Sequence, residues 1–194
     1  MKKLKLPKLI GISGVARSGK DTFCLLSAKR LNKSKQAAMR CAFADNVKAD
    51  LHQLLIKKAG LSAYTNIDKE KELIRPLLVA YGTNLMRKVD EEYWIKRLDL
   101  TIKAAMQVEA VAFITDVRYP NEVEWVKKQG GVMVHIEKEG ALPANEQEEI
   151  NDPLIKAECD LLVKWDHVGE ELIEKKLSSK VTRALGKLQI DDKS

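Results

Sequence analysis

No stretch of the chain strings together the roughly 18 apolar residues that a membrane-spanning helix needs, so no membrane span and no membrane partner are expected. The basic start, Met1-Lys2-Lys3-Leu4-Lys5, leads into only a short strand-like run before a glycine, too little for a signal peptide. Cysteine is scarce: Cys24, Cys41 and Cys159 make 3, an odd count with no C-x-x-C pair. A disulfide framework is thereby excluded, and the thiols read as buried and free in a reducing compartment, which makes a cytoplasmic setting the expectation. His52, His135 and His167 are scattered without metal-ligand spacing, so no zinc site is expected. No internal repeat or low-complexity segment stands out. The net charge of +6 suits an anionic partner such as nucleotide, nucleic acid or a membrane surface. A lysine-rich solvated surface gives the same number, so charge alone decides nothing.

What is present is a regular alternation of short apolar runs with helical patterns. The 194 residues suit a single compact domain spanning 1–194. Leu9-Ile10-Gly11-Ile12 is a buried-strand run that stops at a glycine-rich turn, with a helix expected over residues 19–31. Residues 38–44 read as a second strand. Val47, Leu51, Leu54, Leu55 and Ala59 follow at helical spacing, with Asp45 or Asn46 placed to cap the start. A helix over 69–81 and another carrying Ile95, Leu98, Ile102, Ala105 and Met106 complete a helical part at about 45–107.

Residues 110–115 are a continuous apolar strand ending at Asp116, and Pro120 opens the helix behind it. Gly130-Gly131 ends that helix, residues 132–136 form the next strand, and Leu161-Leu162-Val163 the last. Val168, Leu172, Ile173, Leu177, Val181 and Leu185 form the stripe of a C-terminal helix, and the tail after Gly186 reads as frayed. Residues 138–151, with Gly140, Pro143 and four glutamates, show no periodicity and read as a mobile, lid-like loop. Strands alternating with helices imply an α/β fold with a mainly parallel sheet flanked by helices.

Two stretches carry the chemistry. Gly14-Val15-Ala16-Arg17-Ser18-Gly19-Lys20 matches G-x-x-x-x-G-K, and it falls between a predicted strand and a predicted helix, the context that gives the pattern its weight. Glycines let backbone amides close around phosphate oxygens at a helix N-terminus. Lys20 then neutralises charge on the outer phosphates. Asp21 stands where Ser or Thr is usual for Mg²⁺, with Thr22 next, so either residue is a candidate ligand. The second stretch, Asp116-Val117-Arg118-Tyr119-Pro120-Asn121-Glu122, sits at the carboxyl end of a strand, where ligands bind in open α/β sheets. There Asp116 can orient Mg²⁺ or water and Arg118 can clamp phosphate, although a strand-end ion pair would look the same.

Together these stretches resemble the phage-type deoxynucleoside monophosphate kinases, a branch of the P-loop nucleotide kinases. Residues 14–22 are similar to the family's SGxxRSGKDT loop, in which the aspartate after the lysine belongs to the pattern. Phe43-Ala44-Asp45-Asn46-Val47-Lys48 resembles its FADPLK segment. Tyr81-Gly82-Thr83-Asn84-Leu85-Met86-Arg87, with Asp90 and Trp94 beyond, resembles its GTExxR…D…W block. Residues 116–122 resemble its DVRFPNE. Where the family has HPSE, this chain reads Glu146-Gln147-Glu148-Glu149, with Glu149 in the place of the family glutamate and the histidine and serine absent.

The resemblance implies the three-layer nucleotide-kinase fold with about five parallel strands. It implies ATP and Mg²⁺ on the loop formed by Gly14, Ala16, Arg17, Ser18, Gly19, Lys20, Asp21 and Thr22, with Asp21, Thr22 and Asp116 as candidate metal ligands. The acceptor deoxynucleoside monophosphate would be bounded by the 45–48 and 75–87 segments. Lys20, Asp116, Arg118 and Arg87 are the expected catalytic residues. Asp45, Lys48, Arg75, Tyr81, Gly82, Thr83, Trp94, Asn121, Glu122 and Glu149 are expected on the substrate side, although Trp94 reads equally as a core aromatic and Trp125 as packing. Trp165-Asp166 follows the last predicted strand, where related kinases pass the adenine. Nucleic acid is not an expected partner; a homodimer is.

Two other readings keep the loop. Animal-type phosphomevalonate kinases share the SGKD loop and an Asp-x-Arg strand end, and dephospho-CoA kinases are more distant relatives; both would change only the acceptor. A catalytically dead nucleotide-binding module would keep the charge and lose the turnover.

Overall fold

The structure is a computed structural model, and it describes residues 5–165 and 172–189. The chain forms two compact units, one from Met1–Cys41 with Ile102–Ser194, the other from Ala42–Thr101.

The first unit is built on a five-stranded sheet in the order β2-β3-β1-β4-β5, parallel throughout. β1 (Leu9–Ser13) leads into α1 (Lys20–Lys33), and β2 (Ala38–Cys41) closes the first crossover. Every residue of β1 is buried, as a central strand covered on both faces requires. The core of this unit joins Ile10, Ile12, Phe23, Leu26, Phe113, Val134, Ile136, Val181 and Leu185, so sheet and helices share one apolar centre.

The second unit is helical. α2 (Phe43–Ala59) starts four residues earlier than the Val47 stripe suggests, because Phe43 is itself buried and extends the i, i+4 series back to Val47 and Leu51. The second strand is correspondingly shorter than the expected 38–44. Ala42, in extended geometry, is the cap position, and neither Asp45 nor Asn46 caps; Asp45 lies in the first turn, where its charge suits the helix dipole. α3 (Asp68–Val79) runs into a π-helical stretch, Ala80–Met86, and α4 (Arg87–Val89) follows. α5 (Tyr93–Gln107) comes next. Leu51, Leu55, Ala63 and Ile74, with Val47, Leu61, Leu78 and Tyr81 against them, make this unit's own small core.

Back in the first unit, β3 (Val111–Ile114) is followed by α6 (Pro120–Lys128) and β4 (Val132–Lys138). The mobile loop expected over 138–151 is a correction: α7 (Glu146–Ala157) begins inside it. The Asn145 side chain accepts from the Glu148 amide, and Glu146, Glu148 and Glu149 fill the acidic first turn. Periodicity misses this helix because its buried residues are one isoleucine, Ile155, and one glutamate, Glu148. β5 (Leu161–Trp165) is two residues longer than expected and includes Trp165. α8 (Ile173–Lys187) carries the buried Leu177, Val181 and Leu185; Asp166, His167 and Val168, and the last residues of the tail, lie outside the described residues.

Candidate active site

At the carboxyl end of β1 the chain turns through Gly14 (φ 131°), Arg17 (φ 61°) and Gly19 (φ 95°), three left-handed residues in six. The two glycines are required by space as well as by φ. A Cβ on Gly14 would stand 2.3 Å from the Ile136 carbonyl oxygen, and one on Gly19 would stand 3.0 Å from the Trp165 indole nitrogen. Arg17 adopts this geometry with a side chain, local strain of a kind found at functional sites. Trp165 is the underside of the turn: its indole N–H donates to the Ser18 carbonyl at 2.7 Å. The tryptophan that sequence placed near an adenine is therefore a buried support for the loop.

Lys20, the first residue of α1, is only 8% exposed. Its Nζ donates to the Gly14 and Val15 carbonyls, each at 2.7 Å, which holds the ammonium inside the turn. Burial lowers its pKa, and the nearby Arg118 guanidinium lowers it further, while the Glu148, Asp21 and Asp116 carboxylates oppose both. The charges acting on the lysine include Arg118 and Asp116, which follow the end of β3, the strand paired in parallel with β1. The two strand ends meet at one edge of the sheet.

Glu148 ties them together. Its Oε1 accepts from Arg118 Nη1 at 3.0 Å, and its Oε2 accepts from the Ala16 amide at 3.0 Å and the Ala144 amide at 2.9 Å. This carboxylate is 7% exposed, whereas Glu149, which the resemblance singled out, is exposed. Sequence reading passed over Glu148, although Asn145-x-x-Glu148 is a helix-start pattern. α7 is further bound to the β3–α6 turn, since Asn151 Nδ2 donates to the Arg118 carbonyl and the Tyr119 hydroxyl donates to Gln147 Oε1.

Glu122, expected on the substrate side, is 2% exposed and spends its Oε2 on the Arg118 and Tyr119 amides. It shapes the turn that presents Arg118. Asn121 is half-buried beside it in the first turn of α6.

Sequence reasoning also missed a buried polar chain beneath the loop. Ser13 Oγ, at the last residue of β1, lies 3.1 Å from His135 Nδ1, and His135 Nε2 lies 3.7 Å from Asp152 Oδ2 on α7. Burial lowers the His135 pKa and raises that of Asp152. The three positions are too far apart in sequence to form a motif.

In the helical unit, Asp45 and Lys48 are half-buried on the first turns of α2, and Arg75 is exposed on α3. Tyr81, Gly82 and Thr83 lie in the π-helical stretch, and Arg87 directly follows it. π-Helical turns leave carbonyls without their usual partner and recur at functional sites; here the Gly82 carbonyl accepts from the Trp94 indole at 2.9 Å. Trp94 is thus a core aromatic, 4% exposed. Tyr81 donates its hydroxyl to Asp50, and Arg97 grips both oxygens of the same carboxylate at 2.9 and 3.0 Å. Neither Asp50 nor Arg97 belongs to a sequence pattern.

For a nucleotide phosphate the loop offers a fit: strained backbone, amides at a helix start, and a Ser18 hydroxyl that is buried with no hydrogen-bond partner among the described residues. For Mg²⁺, the carboxylates of Asp21 and Asp116 both act on Lys20, and Thr22 stands next in α1. This is a hard-oxygen donor set. No cluster of three or more His, Cys, Asp or Glu that could hold a metal by itself occurs among the described residues.

Comparison with solved structures finds the same fold. The APS kinase CysC of Mycobacterium tuberculosis in complex with AMPPNP and APS superposes with a TM-score of 0.50 at 13% identity, covering 93% of this chain and 98% of that one. Shikimate kinase from Bacteroides thetaiotaomicron gives a TM-score of 0.44 at 12% identity, covering 92% and 96%. No curated protein sequence matches the chain. The sequence pattern of one family, deoxynucleotide monophosphate kinase, matches residues 56–176, more than half of the length. The chain belongs to the deoxynucleotide monophosphate kinase family.

Proposed function

We propose that the chain moves the γ-phosphoryl group of ATP onto the phosphate of a deoxynucleoside monophosphate, giving ADP and a deoxynucleoside diphosphate. Family membership supports the reaction class. The observation that carries the assignment of roles is the meeting of Lys20 and Arg118 at one edge of the parallel sheet, linked through Glu148 and the Ala16 amide.

Both substrates are polyanions, so their reacting phosphates repel unless cations bracket them; positioning and electrostatics are most of phosphoryl-transfer catalysis. In this reading the loop amides from Gly14 to Thr22 hold the triphosphate. Lys20 exchanges its carbonyl partners for phosphate oxygens, and Arg118 reaches the transferred group. Arg87, with Lys48 and Arg75, takes the acceptor phosphate, and Asp45 orients the acceptor. That phosphate is itself a nucleophile near neutral pH, so no strong general base is needed. Asp21, Thr22 and Asp116 would hold Mg²⁺, which when bound neutralises charge on the β- and γ-phosphates. Asn121, Thr83 and Tyr81 complete the substrate side. The free thiols of Cys24 and Cys159 support a reducing, cytoplasmic setting, and the homodimer expected from the resemblance is read by sedimentation of the purified chain.

The test is ADP release with ATP and each of dGMP, dTMP, dCMP, dAMP and phosphomevalonate. Turnover with at least one deoxynucleotide supports the reading. Turnover with phosphomevalonate alone transfers the assignment to that acceptor, and silence with every acceptor leaves a nucleotide-binding module.

A further inference from the structure

The Glu148 carboxylate holds two groups that an incoming phosphate also needs. Ala16 is the third residue of the phosphate loop, and its amide donates to Glu148 Oε2 at 3.0 Å; Arg118, aimed at the same place, donates to Oε1 at 3.0 Å. A carboxylate oxygen and a phosphate oxygen are acceptors of the same kind, and each carries negative charge. Both cannot sit on one N–H within hydrogen-bond distance, and the buried carboxylate repels the second anion.

We propose that Glu148 is a positioning residue that competes with phosphate: it keeps Arg118 at the mouth of the loop and yields the Ala16 amide and the guanidinium when nucleotide arrives. The inference rests on the reading that the loop takes ATP. Three contacts of this carboxylate are lost in the exchange, to Ala16, Ala144 and Arg118. The Asn145 cap on the Glu148 amide and the Asn151 bond to the Arg118 carbonyl do not involve the carboxylate, so α7 keeps its start while the side chain leaves. Arg118 is thereby delivered to the phosphoryl group from a fixed position rather than from solvent, which reduces the ordering that binding must impose.

The direction of one effect separates this from a structural role. Glu148→Gln keeps the size and removes the charge, so it should bind ATP more tightly, by about tenfold or less. KM for ATP should fall with it while kcat does not rise. Calorimetric titration of ATP into wild type and Glu148→Gln, each shown folded by its melting curve, reads this. Unchanged or weaker binding by the folded variant overturns the proposal. A second measurement needs no variant: hydrogen exchange at the Ala144 amide should speed up when wild type is saturated with ATP, because its acceptor has gone, while the Ala16 amide stays protected. An Ala144 amide that keeps or gains protection also overturns it. If neither protein binds ATP, the nucleotide reading of the loop falls and this inference with it; if wild type binds and the variant gains nothing, only the inference falls.

Discussion

Trp165 donates its indole N–H to the Ser18 carbonyl at 2.7 Å, so the final side chain of β5 supports the phosphate loop formed after β1. The ring also packs on Phe23 of α1, with centroids 6.1 Å apart. Trp165→Phe keeps an aromatic ring and removes the donor. The buried Ser18 carbonyl is left unpaired, which should cost about 1–3 kcal/mol of stability. KM for ATP should rise because the loop loses its floor. Denaturant unfolding and initial-rate kinetics check both parts; unaltered stability would show that the bond contributes nothing.

Arg118→Ala removes the cation proposed to meet the transferred phosphoryl group. Arginines so placed contribute about 10³–10⁵ in rate. The expected outcome is a kcat loss of that order with a much smaller change in ATP affinity, since the contact strengthens in the transition state. An effect confined to KM would assign Arg118 to ground-state binding.

Gly82 lies in the π-helical stretch, where an added Cβ would stand 3.1 and 3.2 Å from the two methyls of Val47 on α2. Gly82→Ala therefore overpacks the small core of the helical unit, at a cost of about 1–3 kcal/mol. It also displaces the carbonyl that receives the Trp94 indole and the start of α4, where Arg87 stands. KM for the acceptor should rise more than KM for ATP. Equal effects on both would detach the π-helical stretch from the acceptor.

His135 predicts a pH dependence whose sign can be worked out. Around it stand Ser13 on β1, Asp152 and Lys156 on α7, Glu137 on its own strand, and Lys20, while Cys159 after α7 reaches Ser13 Oγ at 3.4 Å. Burial holds its folded pKa below the ordinary 6.5. As pH falls below that value the unfolded chain takes up a proton that the folded chain refuses, so stability declines on acidification. Asp152, raised above its ordinary 3.8 by burial, acts in the opposite sense, because there the folded chain binds the extra proton. Melting temperature should drop between pH 7 and about 5.5, and His135→Gln should flatten that slope. A slope that survives the substitution would place its origin elsewhere.

Much of the fold was legible because the first unit uses strong signals. Leu9–Ser13 and Val111–Ile114 are unbroken apolar runs, and Gly14, Gly19 and Lys20 mark the turn between strand and helix. Asp116 and Arg118 were legible from their place at a strand end. What escaped was set by tertiary context. α7 buries a glutamate where a helix usually buries an apolar side chain, so its pattern reads as loop. Ser13, His135 and Asp152 are joined only by strand pairing and helix packing. Trp165, with its aromatic ring and one N–H, reads equally as a ligand platform or a brace, and only the bond to Ser18 decides.

The measurement that bears most directly on phosphoryl transfer at this loop follows the label from γ-³²P-ATP in wild type and in Lys20→Ala. Lys20 is held by two loop carbonyls at 2.7 Å, and removing one preorganised donor of this kind costs about 10²–10³ in kcat. Label should appear in a deoxynucleoside diphosphate with wild type and fall by that factor in a folded variant. Label found only in inorganic phosphate, or transfer undiminished in Lys20→Ala, would contradict the account.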